Sequence, residues 1–492
     1  MKKLFLLLAS ALIFTACEII FIPGNPDNPS NPSNPSNPSN PNNTQSRQFW
    51  AQDIRNNSFY TLTAQMLAQG AYCTVWVETG NSHATAAVAA AMANTYDTDI
   101  YPKMKDVFSI NNLNYEGDQF KDTMTLADYF GDEDGKLCIL LLDIKDGFNG
   151  TTNSSYVAGY FAARDFFSND SLPSNIKSNE RDMIYIDTYP AEPEESYSTL
   201  AHEMQHLMNF VHDVAIRGSL SSGVLTDTWL NEGLSSAAEW VYTGAPDTDR
   251  LDWYNRATTA NKSRITTGNN FFAWDQYGDD SNLDDYATVN LFFQWLRLQS
   301  GGSTNIYKAI SGSRYSDYNA IVNAMNGYKD WGTLLKTWLA ANYINAPSGR
   351  YGYMNDSVLK NVKARTVPQG TRSVNLYPGE GVYSVTTNSG STQSPSGNIR
   401  YAGLNKSSGA VSDTAVFASG ALLTYNVSTN LNGRTEAGVT TGVAASVETA
   451  RFVGAWAPSG PYKISASEML RRNGYEEYTP PRLRLYTGVE DN

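Results

Sequence analysis

Only four histidines occur in this chain of 492 residues, and two of them, His202 and His206, stand four residues apart with Glu203 beside the first. Residues at that separation share one face of a helix with Cβ atoms about 6 Å apart, a span that lets two imidazoles bind one Zn²⁺ at about 2 Å each. Glu203 then lies next to the metal without binding it. From there it can take a proton from water whose pKa the metal lowers to about 7. With so few histidines, chance produces this His-Glu-x-x-His spacing at odds of roughly one in a thousand. The competing reading is a pair of solvated histidines on a helix surface. Leu200, Met204 and Leu207 oppose it, because they would bury this face and an unpartnered buried imidazole is costly.

The elements that must position the pair are legible around it. Pro193 suits the first turn of a helix, and Glu194 and Glu195 favour its N-terminus, so the segment through His206 is expected to be helical. A catalytic zinc also needs a third protein ligand. Two sources compete for that place. The next helical segment, Trp229-Leu-Asn-Glu232-Gly-Leu-Ser-Ser-Ala-Ala-Glu239, offers carboxylates, and His212, ten residues after His202, offers another imidazole. The second option requires the chain to leave the helix at Asn209, a residue able to adopt a left-handed turn. If the helix continues instead, His212 ends about 80° short of a full turn from His202 and misses the ion.

A His-Glu-x-x-His helix followed by an Asn-Glu helix resembles the gluzincin arrangement of thermolysin-like peptidases and zinc aminopeptidases. A closer resemblance, over roughly Gly131 to Ile344, is to the hyicolysin family of bacterial metallopeptidases. Ala201-His-Glu-Met-Gln-His206 and Trp229-Leu-Asn-Glu-Gly-Leu-Ser235 look like its two zinc motifs. The resemblance implies zinc on His202, His206 and Glu232, Glu203 as general base, and polypeptide substrates. Glu239, two turns beyond Glu232, then falls outside the ligand set. Thermolysin-like enzymes carry an acid four residues after the ligand glutamate; here Ser236 occupies that position and leaves its partner role unassigned. Gluzincins also supply a Tyr or His that donates to the developing oxyanion. No histidine follows His212, so Tyr286 is the candidate, set against a purely packing role in a chain with 30 tyrosines. The rival metzincin pattern, built on His212, has no use for the Asn-Glu helix, and the nearest later methionine, Met325, lies far from where its Met-turn is expected.

The rest of the chain supplies the setting. A net charge of −13 without long Lys or Arg runs argues against nucleic acid or an anionic membrane surface as the main partner. Lys2 and Lys3, an apolar run from Leu4 to Phe14, and Thr15-Ala-Cys17 read as a lipoprotein signal peptide with lipid on Cys17, which implies a secreted bacterial lipoprotein held at the outer membrane or cell surface. An Asn-Pro-Ser repeat follows as a solvated spacer. The expected organisation is a signal peptide (1–17), a linker (18–47), a metallopeptidase domain (48–364), and a β-sandwich-like C-terminal domain (365–492). The metallopeptidase domain divides into an α+β part on a mixed sheet (48–193) and a zinc-helix and helical part (194–364), so the fold class is α+β and gluzincin-like.

Within it, Ala84 to Tyr101 is expected as a helix ending before Pro102, Leu137 to Ile144 as the strongest strand, and Met183 to Asp187 as an exposed edge strand along which substrate would add. Cys73 and Cys138 lie in strand-like runs and either form a disulfide or remain buried thiols. Calcium is a second candidate cofactor, at Asp132 to Gly135 or at Asp279, Asp280, Asp284 and Asp285, with a solvated turn as the alternative at each place. The functional alternative to a peptidase is a non-catalytic surface adhesin or binding lipoprotein on a degenerate peptidase fold.

Overall fold

The computed structural model describes residues 45–109, 135–438 and 462–463, interrupted at 152–154, within 167–173, and at 191–192, 220–223, 257–270, 273–282, 368–372 and 431–434. The leader and spacer, the acids Asp132 to Asp134, and Asp279 and Asp280 lie outside the described residues. The chain forms two compact units, one made by residues up to Leu225 together with those from Ala457 onward, the other by Thr226–Trp456. Among the described residues no helix is long and apolar enough to cross a membrane.

The first unit is built on a mixed sheet of six strands. These are β1 (Ser46–Asp53), β2 (Ser58–Gln69), β3 (Cys73–Glu78), β4 (Leu137–Leu142), β6 (Gly159–Phe161) and β7 (Met183–Asp187), in the order β1-β2-β3-β4-β7-β6. A further two-residue strand, β5 (Ser155–Tyr156), pairs in parallel with Tyr462–Lys463. β3, β4 and β7 run parallel, which is why β4 reads as the unbroken apolar run Leu-Cys-Ile-Leu-Leu-Leu and is buried throughout. Helices α1 (Ala86–Thr95) and α3 (Pro193–Ala215) pack against the sheet, α1 on β2 and β3, α3 on β6 and β7.

Two expectations are corrected here, and an alternative left open by the sequence is decided. Met183–Asp187 is not an edge strand: it lies between β4 and β6, and all five residues are buried. Its alternation misled because Tyr185 and Asp187, the polar-looking positions, find partners inside. Tyr185 Oη donates to Asp165 Oδ2 at 2.8 Å, and Asp187 Oδ1 accepts from Ile144 N at 3.0 Å. The edge is β6. The helix also does not stop before Pro102. A π-helical turn, Tyr96–Ile100, carries the chain from α1 into α2 (Tyr101–Phe108), and Pro102 falls directly after that turn, where the hydrogen-bond register of the helix shifts. Finally, Cys73 pairs with Leu137 and Thr74 with Cys138, so the two cysteines point to opposite faces of the sheet and no disulfide joins them. Burial pushes the Cys73 thiol up to about 12.

The second unit opens with helices α4 (Thr228–Thr243), α5 (Thr248–Arg256) and α6 (Leu283–Gln299). α7 (Asn305–Ser311), α8 (Tyr318–Ala324) and α9 (Trp331–Ile344) follow. Its core is aromatic: the Trp229 and Phe272 rings are 4.8 Å apart, and Phe271 and Phe292 each lie 5.1 Å from Trp338. After residue 365 a five-stranded sheet forms from Ala410–Ser412, Ile399–Asn405, Gly420–Asn426, Gly381–Thr386 and Thr366–Val367 in that order. It packs on α9, where Tyr383 Oη donates to Leu339 O at 2.7 Å and Lys336 pairs with Asp413 at 2.7 Å.

Candidate metal centre

α3 starts at Pro193, as its residue type favours, and contains no internal Gly or Pro before it ends at Ala215. The repeat of Leu200, Met204, Leu207 and Val211 anchors it in the first unit, each of these being at most 1 % exposed. Four residues apart on this helix, the His202 and His206 rings stand 4.8 Å centroid to centroid in an edge-on arrangement of 75°. Donor atoms of His202, Glu203 and His206 all lie within 4.8 Å of one another. The three side chains are 9, 9 and 6 % exposed, which removes the solvated-pair reading. Two imidazole nitrogens presented together in a buried site, beside a carboxylate, are a donor set that fits zinc.

Glu203 is held by a group that no side-chain pattern could reveal. Its Oε2 accepts the backbone N–H of Phe161 at 2.8 Å. Phe161 belongs to the edge strand β6, paired with β7 in the register Gly159 to Ile186, Tyr160 to Tyr185 and Phe161 to Ile184. Asp187 N donates to Ala158 O at 2.9 Å, so Ala158 and Tyr160 face β7 and the backbone groups of Gly159 and Phe161 point away from the sheet. The strand can approach α3 this closely because of Gly159, where an added Cβ would come within 2.8 Å of both Thr199 Cγ2 and Tyr185 O. A glycine inside a strand is the one signal of that approach in the sequence.

The remaining candidates are distributed as follows. α3 runs unbroken through Asn209, and His212, fully buried, is not part of the cluster with His202 and His206. One turn further on, Arg217 pairs with Asp213 at 2.7 Å, both side chains buried. His83 is on the surface and stacks on Tyr189 at 4.8 Å. Glu232 and Tyr286 belong to the second unit. Glu232 is half-buried on α4, next to Gly233, whose Cβ would collide with Phe293 on α6 at 2.1 Å; the glycine lets the two helices pack. Ser236 is buried on the same helix and Glu239 half-buried. Tyr286, in the first turn of α6, is 4 % exposed, and the Arg250 guanidinium lies 4.7 Å over its ring. Asp284 accepts the indole N–H of Trp253 at 2.7 Å, a partner the calcium expectation did not foresee.

No protein-family profile matches the chain. One curated protein is 30 % identical to it over 292 residues, which span 58 % of this chain and 58 % of that protein. It is the neutral metalloprotease ShpI of Staphylococcus hyicus. The match therefore covers somewhat more than half of each chain.

Proposed function

We propose that this chain is a secreted zinc metallopeptidase of the gluzincin type that cleaves extracellular polypeptides as an endopeptidase. The observation that carries the reading is the buried cluster of His202, Glu203 and His206, with the Glu203 carboxylate oriented by the Phe161 amide. The similarity to a neutral metalloprotease supports it independently. In this scheme His202 and His206, together with Glu232 from the Asn-Glu helix, hold the ion. Zinc there supplies a Lewis acid that makes water nucleophilic at neutral pH and polarises the scissile carbonyl.

The chain's own residues do the rest. Glu203, fixed by Phe161 N–H, takes a proton from the attacking water and passes it to the leaving amine. Tyr286 is assigned as donor to the oxyanion. Lipid on Cys17 and the Asn-Pro-Ser spacer would hold the enzyme at the outer membrane or cell surface. The test is metal dependence: hydrolysis of casein by the purified chain is expected to vanish with a chelator and return with one equivalent of zinc. Undiminished hydrolysis by metal-free protein would overturn the proposal.

A further inference from the structure

Three adjacent parallel strands, β3, β4 and β7, end at one edge of the first unit's sheet, and the loop after each carries an aromatic side chain. These are His83 after β3, Phe148 after β4 and Tyr189 after β7. The carboxyl ends of parallel strands are where such sheets contact ligands. Here the rings meet: Tyr189 stacks on His83 at 4.8 Å and 30°, and meets Phe148 edge-on at 5.5 Å. Tyr189 nevertheless stays 44 % exposed, and His83 is on the surface. A hydrophobic residue exposed singly needs no explanation, whereas rings gathered from three loops do. The loops are also fixed. Asn81 bridges two of them, its Nδ2 donating to Thr188 Oγ1 at 2.7 Å while its Oδ1 accepts His83 N at 2.9 Å and Ala84 N at 3.0 Å. In the third loop Asp146 Oδ1 accepts Phe148 N at 2.8 Å.

The charge beside the rings is negative. Asp143, the first residue after β4, is exposed, and its N–H donates to Glu78 Oε2 at 3.2 Å, which brings two acids together. Partial burial raises the Asp143 carboxyl, and His83 is the group that opposes the rise, so this acid faces the rings. Among the described residues no Lys or Arg pairs with Asp143. Lys145 of the same loop instead sits 3.4 Å over the Tyr60 ring and acts on Glu78. Aromatic faces beside an unpaired carboxylate fit a planar cation, which stacks on a ring while its N–H groups reach the acid.

We infer that His83, Phe148, Tyr189 and Asp143 form a subsite for an arginine side chain of the polypeptide substrate, set apart from the scissile bond. The inference rests on the peptidase reading. Tyr189 stands four residues before Pro193, the first residue of α3, and His202 follows nine residues later, about 13 Å along the helix axis. An extended chain covers that length with about four residues, which sets the distance of the recognised arginine from the bond cut.

The test uses the full chain and blocked decapeptides that differ at one position, about four residues from the bond cleaved. That position carries arginine, its uncharged planar isostere citrulline, or tryptophan, in one series N-terminal and in another C-terminal to the bond. Cleavage positions are read by mass spectrometry. In one series the wild type is expected to prefer arginine to citrulline about fivefold in kcat/KM, the difference lying in KM. Tyr189→Ala and Asp143→Asn should each bring that ratio below about twofold. A ratio taken on one protein cancels any general loss of activity, and Asp143→Asn carries the test if the alanine variant does not fold. A wild-type ratio near one, a ratio that either folded variant leaves unchanged, or a preference for tryptophan over arginine would overturn the inference while leaving the peptidase reading intact. A wild-type chain inert on every peptide would instead refute the peptidase reading, and this inference with it.

Discussion

A carboxylate beside two imidazoles can end as a third ligand or as a base, and the 2.8 Å bond from Phe161 N to Glu203 Oε2 favours the base by committing one oxygen to the edge strand. That leaves the third ligand to be supplied from elsewhere. His212 is a poor source, because α3 continues through Asn209 and turns that side chain away from the His202 and His206 face. We therefore expect Glu232→Ala to lose stoichiometric zinc together with activity. His212→Ala should keep both, at some cost in stability for emptying a buried position. The reverse pattern of metal content would overturn the gluzincin assignment. Tyr286→Phe should lower kcat about 10²-fold with little change in KM, the loss expected for one oxyanion donor. A wild-type kcat would leave Tyr286 as a packing residue beneath Arg250.

Elements were legible where one face carries an unbroken signal. Pro193, two acids and a regular apolar stripe announce α3, and the Val, Ile and Leu run of β4 announces a buried parallel strand. They were not legible where burial is compensated by hydrogen bonds: Tyr185 and Asp187 look like solvent-facing positions, and only the tertiary fold supplies Asp165, Asn179 and Ile144 as partners. Asp187 has a measurable consequence. Burial, with smaller contributions from Asp146 and Asp143, raises its carboxyl from 3.8 to about 8. On unfolding, the group returns to its ordinary value near 3.9. Between those values the unfolded chain releases the proton that the folded chain keeps, so folded stability falls as pH rises from about 4 to about 8. Asp187→Asn removes that slope. Its melting temperature relative to wild type, measured in a Glu203→Gln background to prevent self-digestion, should therefore rise between pH 4.5 and pH 8.5, by an amount worth up to a few kcal/mol. A difference that does not vary with pH would contradict the buried-proton account.

At the scale of the molecule, residue composition marks where strands replace helices after residue 365 but not what those strands pack on. Tyr383 bonded to Leu339, and Lys336 paired with Asp413, make the β-rich segment and α9 parts of one unit. The candidate site was more legible than the fold around it, because ligand chemistry is written in residue types and spacing. His202, Glu203 and His206 were identifiable without any structure, whereas the Phe161 amide, a main-chain group, was not. The account as a whole stands on Glu203 acting as a base beside a metal it does not hold. Glu203→Gln preserves the shape of the side chain and removes only its ability to accept a proton. The most direct measurement is zinc content and casein hydrolysis of the folded full chain beside this variant. One zinc per chain in both proteins, with hydrolysis at least about 10²-fold lower in the variant, is the predicted result. Equal activity of the two proteins, or loss of the metal with the substitution, would contradict it.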